Sequence, residues 1–365
     1  MQQLGLNNLL RGATFFQHAG VSIVYVFMPI LAQTLTSNIF EVGLTIASFF
    51  LAQILSSLYF GRISDARGVR LTFIRVGFVS CAIMFGLHYI ADNSFYLLLV
   101  RLGAGVASGM MVPAMLAYTY ESGKDKSKVA SVISFHALGW MAGIVAAGIA
   151  NNEKTIFLIS AGLFLIGLAF SARMPHHPMT KVESGATKLV IAKNKYLFLS
   201  LLLRHIGATA VWTILPLVLT QTLGAKLYEV SIVYMANTAS SFILMNLMGV
   251  KIHTKNVTKF KIGIGLTVFV FAGMAVMTSW WMAIPCMALV GVTWAFLYIG
   301  GSIHLMENNP KSTSTGVFNS TISIANVIGP VIAGAIAFWY NQVAVMYFAV
   351  GICTIAFFVS LKIKR

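Results

Sequence analysis

The sequence predicts an all-α membrane protein of twelve transmembrane helices, organised as two parallel six-helix pseudo-repeats. Three observations carry that prediction. Hydrophobic residues make up 58% of the 365 and charged residues only 9%, where soluble domains carry about 25% charged residues. Apolar runs of about 20 residues, long enough to cross a bilayer as helix, recur along the whole chain. The positive charges gather in alternate loops between those runs.

The first run covers 9–35, with Arg11 at its entrance. It is too long for a signal peptide, so no cleavable leader is expected. Runs at 40–60 and 71–91 flank the charged stretch "GRISDARGVR", Gly61 to Arg70. Runs at 95–119, 129–150 and 154–173 complete a first bundle, expected over residues 1–173. Residues 174–195 are the clear break in composition, with Pro175, His176, His177 and Pro178 followed by Lys181, Glu183 and Ser184. They are expected to form a central loop. A second bundle over 196–365 is built from runs at 196–222, 229–249, 260–279, 281–305, 315–338 and 343–361.

The net charge of +16 raises the question of nucleic acid, and its placement answers it. With the N-terminus on side one, that side receives Arg62, Arg67, Arg70 and Arg75, the lysines of 124–128 and 181–195, and those of 251–261 and 311–364. The opposite side has only Lys154 and Lys226. Cationic loops stay cytoplasmic, so both termini are expected inside a cytoplasmic membrane. Attraction to anionic lipid is a by-product of that charge, and no nucleic-acid partner is expected. Cys81, Cys286 and Cys353 fall in separate apolar runs with no metal or disulfide spacing, which reads as packing. No phosphate-binding G-x-x-x-x-G-K-S/T loop and no convergent nucleophile–base or metal set is present, so neither ATP use, an enzyme nor a cofactor is expected.

An internal repeat runs through the chain. "QTLTSNIFEV" from Gln33 returns as "QTLGAKLYEV" from Gln221, an offset of 188 that also carries Gly61 onto Gly249. An offset of 187 pairs His18 with His205, Gly20 with Gly207, Val24 with Val211 and Pro29 with Pro216. An offset of 186 pairs Gly105 with Gly291, Glu121 with Glu307, Ser134 with Ser320, Gly143 with Gly329 and Gly148 with Gly334. One match means little between apolar helices. A nearly constant offset over five consecutive helices means duplication.

Twelve helices in two parallel halves with a short basic central loop resemble the major facilitator superfamily, and the motifs extend the likeness. The family's loop between helices 2 and 3 reads roughly G-x-x-x-D-R/K-x-G-x-R/K. Gly61, Asp65, Gly68 and Arg70 match it, with Ala66 in place of the first base and Arg67 beside it. The helix 4 signature R-x-x-x-G is met by Arg101 and Gly105. The glycine-rich helix 5 signature is degenerate, as Gly139, Gly143 and Gly148 without its Gly-Pro pair, which stands in the second half as Gly329–Pro330 ahead of Gly334. The resemblance implies the major facilitator fold, alternating access, and a cytoplasmic latch formed by Gly61, Asp65, Arg67, Gly68 and Arg70. The plain alternative is that these arginines only fix topology. Gly61 and Gly68 would let the chain turn tightly, since glycine takes φ > 0 cheaply. The glycines of helices 5 and 11 suit close helix packing, which also serves one half rocking on the other.

In that family helices 1, 4, 7 and 10 line the central cavity. His18, Ser22 and Tyr25 share one face of helix 1 with Pro29, and His205, Thr209 and Trp212 repeat the pattern on helix 7 with Pro216. His18 lies about 10 Å in from Arg11, a depth at which polar groups face a cavity or one another. Arg101 and Arg204 add two buried cations, and Arg101 could equally bond backbone carbonyls. The substrate-cavity set is therefore His18, Ser22, Tyr25, Arg101, Arg204, His205, Thr209 and Trp212, with His88, His136 and His304 as weaker candidates. All nine carboxylates fall in loops or near helix ends, Glu41 and Glu229 among them as a matched pair at the outer mouths. If protons couple transport, a histidine is then the natural carrier. The expected function is secondary transport of a small organic solute, anionic or neutral, by a monomer whose partners are that solute, protons and lipid. The rivals are a multidrug or sugar exporter working by proton antiport, and a non-transporting receptor.

Overall fold

The computed structural model describes the backbone of residues 2–122, 126–152, 154–175, 187–250, 254–309 and 311–363. Every regular element among them is helical. The central-loop residues 176–186, the side chain of Asp65, and His253 lie outside the described residues.

The first expected span is broken in two. Helix α1 (Gln2–Tyr25) meets α2 (Met28–Leu35) at a bend of 40°. Pro29 is the cause: it brings no N–H and its ring collides with the carbonyl four residues back, at Tyr25. Then come α3 (Ile39–Arg67), α4 (Arg70–Leu87), α5 (Ser94–Ser122), α6 (Lys126–Ala150) and α7 (Thr155–Ala172). A seven-residue helix, α8 (Thr187–Lys193), lies inside the stretch expected to be loop. It is too short to leave a periodic signal, yet Val190 is buried with Leu197, Phe198, Leu305 and Phe318. The chain continues through α9 (Lys195–Leu217), which ends in a π turn at Val218–Thr222, then α10 (Leu227–Val250) and α11 (Asn256–Ala275). It closes with α12 (Ala283–Asn308), α13 (Lys311–Trp339) and α14 (Gln342–Leu361). Among the described residues nine helices are long and apolar enough to span a membrane, ten with the bent α1–α2 pair. α6, whose apolar part is Phe135–Ala150, and α10 occupy the other two expected positions.

The chain forms two compact units, residues 1–37 with 48–182, and residues 38–47 with 183–365. The contacts group the first turns of α3, residues 38–47, with the second unit. There Gly43 lies on the carbonyl of Pro330, and the backbone of Phe40 lies 3.1 Å from where a Cβ on Gly334 would stand.

Within each unit the repeat reproduces its contacts. In the first, Gly143 of α6 faces Ser22 and the Ala19 carbonyl of α1; in the second, Gly329 of α13 faces Thr209 and the Ile206 carbonyl of α9. Gly105 meets the Phe49 carbonyl, and its counterpart Gly291 meets that of Asn237. Missing side chains let the backbones close, the usual source of helix affinity in lipid.

The helix ends that carry the basic loops are clasped the same way. Arg70 donates to Glu121 at 2.9 Å and to Ser64 at 3.2 Å, and Asn256, 186 residues later, donates to Glu307 at 2.8 Å. Arg75 donates to the carbonyls of Ser171, Ala172 and Met174, and Lys261, again 186 residues on, to those of Leu361 and Ile363. The last carbonyls of α7 and α14 lack partners within their helices, and the dipole there favours a cation.

Candidate substrate-cavity walls

The first unit brings three of the expected residues to one aromatic wall. His18 and Tyr25, seven residues apart, lie on one face of α1. His18 stacks on His136 of α6, with ring centres 3.8 Å apart and planes 27° from parallel. Tyr25 meets Trp140 of α6 edge-on at 5.3 Å and Phe50 of α3 at 6.1 Å. His136 and Trp140 are four residues apart, 6.3 Å between rings. Arg101 of α5 is only 2% exposed and lies 4.4 Å over the ring of Phe49, with Tyr25 in electrostatic reach. Its Nε has no hydrogen-bond partner, and neither has Nε1 of Trp140. No carboxylate among the described residues pairs with Arg101.

Ser22 is placed differently from the expectation. At 3.6 residues per turn it lies about 60° around α1 from Tyr25, and this turns it into the contact with α6. It is fully buried, within hydrogen-bond reach of the carbonyls of Ala19 and Gly139. His88 is also a packing residue, stacked on Phe157 at 5.2 Å with Nδ1 at the Met84 carbonyl.

In the second unit His205 keeps company suited to a binding wall. Its ring lies 5.6 Å from Trp294 of α12, which lies 5.2 Å from Tyr298, the side chain of Asn326 of α13 stands close by, and the Nδ1 of His205 has no hydrogen-bond partner. Arg204, one residue earlier, lies 5.9 Å from the centre of the same Trp294 ring, but its hydrogen bonds go to other helices. Its Nε donates to Thr267 of α11 and an Nη to Thr293 of α12, at 3.1 and 3.2 Å, so this cation ties helices of its own bundle together. The Thr209 hydroxyl is shared among the carbonyls of His205, Ile206 and Ala325. Trp212 packs edge-on against Tyr234 and Phe271. His304 is half-buried on α12.

Trp140, Trp294, Tyr298 and Asn326 join the expected residues, and His136, a weaker candidate by sequence, stands at the centre of its wall. Their signal was the four-residue spacing of His136–Trp140 and Trp294–Tyr298, one aromatic face on each helix. Glu229 is spent on its own helix start, accepting from the Lys226 N–H at 2.7 Å as a capping-box acid does. Of the latch residues, Gly68 makes the turn at φ 71°, while Gly61 lies inside α3 and turns nothing. Arg67 is exposed, and Arg70 is held by Glu121 of α5. A groove of about 350 Å³ beside Leu51, Leu55, Tyr59 and Val106 is apolar and open, a surface for lipid rather than a polar solute.

Comparison with known proteins agrees with this architecture. The family model of the Major Facilitator Superfamily matches residues 12–314. The chain is 23% identical to the multidrug resistance protein MdtG of Proteus mirabilis, over 93% of this chain and 90% of that one. It is 22% identical to the quinolone resistance protein NorA of Staphylococcus aureus strain MRSA252, over 93% and 91%. Its fold is similar to the crystal structure of the nucleoside transporter NupG, with a TM-score of 0.80, 17% identity and coverage of 98% of this chain and 100% of that one.

Proposed function

Since the chain belongs to the Major Facilitator Superfamily and is a multi-pass membrane transporter, we propose that it carries a small organic anion or a neutral solute by alternating access, driven by protons. Arg101 carries this reading. A guanidinium inside a membrane protein is costly unless its charge is met. Phe49 meets part of it through its ring face, and the Nε is left for a ligand oxygen. Trp140 offers a second unused donor in the same unit, and two donors with no acid suit carboxylate, phosphate or hydroxyl groups. The excess of basic residues in alternate loops supports a topology with both termini on the cytoplasmic side of the cell membrane.

Export of drugs is the second reading, favoured by the likeness to the multidrug resistance protein MdtG and the quinolone resistance protein NorA. Thermal unfolding of the purified protein with organic anions, neutral solutes and organic cations of matched size separates the two. Anions or neutral solutes raise the unfolding temperature and cations leave it unchanged. A rise with cations alone turns the assignment to drug export.

A further inference from the structure

We propose that the stacked imidazoles of His18 and His136 form one binding site for a single proton, the coupling ion of the transport cycle. This rests on the transporter reading and names the group that serves it. The two rings come from α1 and α6 and lie face to face at 3.8 Å. His18 is half-buried and His136 exposed. Of the helices packed on them, α1, α6 and α7 contain no Asp or Glu, and the acid of α5, Glu121, is held by Arg70. The charged and titratable groups facing the pair are few. Arg11 of α1 lies over Phe135, next to His136, at 5.5 Å. Tyr25 and Arg101 stand on the same wall through Trp140, and α7 carries no charged or titratable residue along its length.

Stacking makes the pair act as a unit. A first proton on either ring gives an imidazolium lying on a neutral aromatic face, a favourable arrangement. A second would set two like charges 3.8 Å apart, weakening its binding by about a thousandfold at an effective dielectric near 20. The two rings therefore share one proton over the working range, and the titration belongs to the pair.

The test is a histidine ¹⁵N NMR titration of the full chain in lipid nanodiscs between about pH 8 and pH 5, with assignments from single substitutions. The charges on the two rings sum to one at the acidic end, and in H136Q the His18 ring takes a full proton alone. Both rings charging fully, or neither charging, overturns the proposal. The titration needs no substrate, so it decides the proton site independently of the transport reading. In proteoliposomes, with fluorescein as the anionic probe, the H18Q/H136Q variant loses the dependence of its accumulation on an imposed pH gradient, and accumulation that still follows the gradient would also overturn the coupling role.

Discussion

The guanidinium of Arg70 and the carboxylate of Glu121 meet at 2.9 Å, with side chains 7% and 8% exposed, at the basic-loop end of the first unit. The repeat replaces this ion pair by the neutral–acid pair Asn256–Glu307 in the second unit. Breaking a buried pair leaves one charge without compensation and costs about 3–5 kcal/mol. Glu121→Gln is therefore expected to lower the unfolding temperature clearly, and Asn256→Ala to change it little. Equal effects in thermal unfolding would mean that the ion pair is not what holds α4 to α5.

The glycines give a prediction with two signs. A Cβ on Gly143 would run into the Ser22 hydroxyl and the Ala19 carbonyl, whereas one on Gly162 would meet nothing within 4 Å. Alanine is favoured over glycine in a helix interior by about 1 kcal/mol. Gly162→Ala should leave the protein as stable or more so, and Gly143→Ala should destabilise it. Differential scanning of the two purified variants checks this, and a stable Gly143→Ala protein would contradict the close contact of α1 and α6.

Arg204 should behave as a structural cation. Arg204→Met removes both threonine contacts and leaves the Thr267 and Thr293 hydroxyls to their own helix carbonyls at Gly263 and Val290. The expected outcome is a lower unfolding temperature with unchanged preference between anionic and cationic ligands. A changed preference in competition binding would return Arg204 to the substrate site.

Much of the fold was legible because its causes are local. Apolar length and alternating basic loops mark the spans, and the 186–188 offset pairs residues whose contacts match, such as Gly143–Ser22 and Gly329–Thr209, whereas the break after Tyr25 was missed because the apolar run continues through Pro29. The direction of Arg204 was harder, although the repeat held the clue. The counterpart of Arg204 is Gln17, and those of Thr267 and Thr293 are Cys81 and Ala107, so only the second bundle has hydroxyls to receive a guanidinium. The partnership of His18 with His136 needed the packing of α1 on α6, which no pattern within one helix encodes. Helix α8 escaped because seven residues span about two turns, too few for periodicity to show.

The account turns on Arg101 as the buried cation left for the solute, and the xanthene dyes fluorescein and rhodamine 123 test it with one skeleton and opposite charge. At 4 Å and an effective dielectric near 20, attraction of one and repulsion of the other are each worth about 4 kcal/mol. The measurement is the ratio of initial uptake rates of the two dyes into proteoliposomes, for the unmodified protein and for Arg101→Gln. The account predicts a strong preference for fluorescein that collapses in Arg101→Gln while the variant still folds. Faster uptake of rhodamine 123 by the unmodified protein, or a preference that Arg101→Gln leaves untouched, would contradict it.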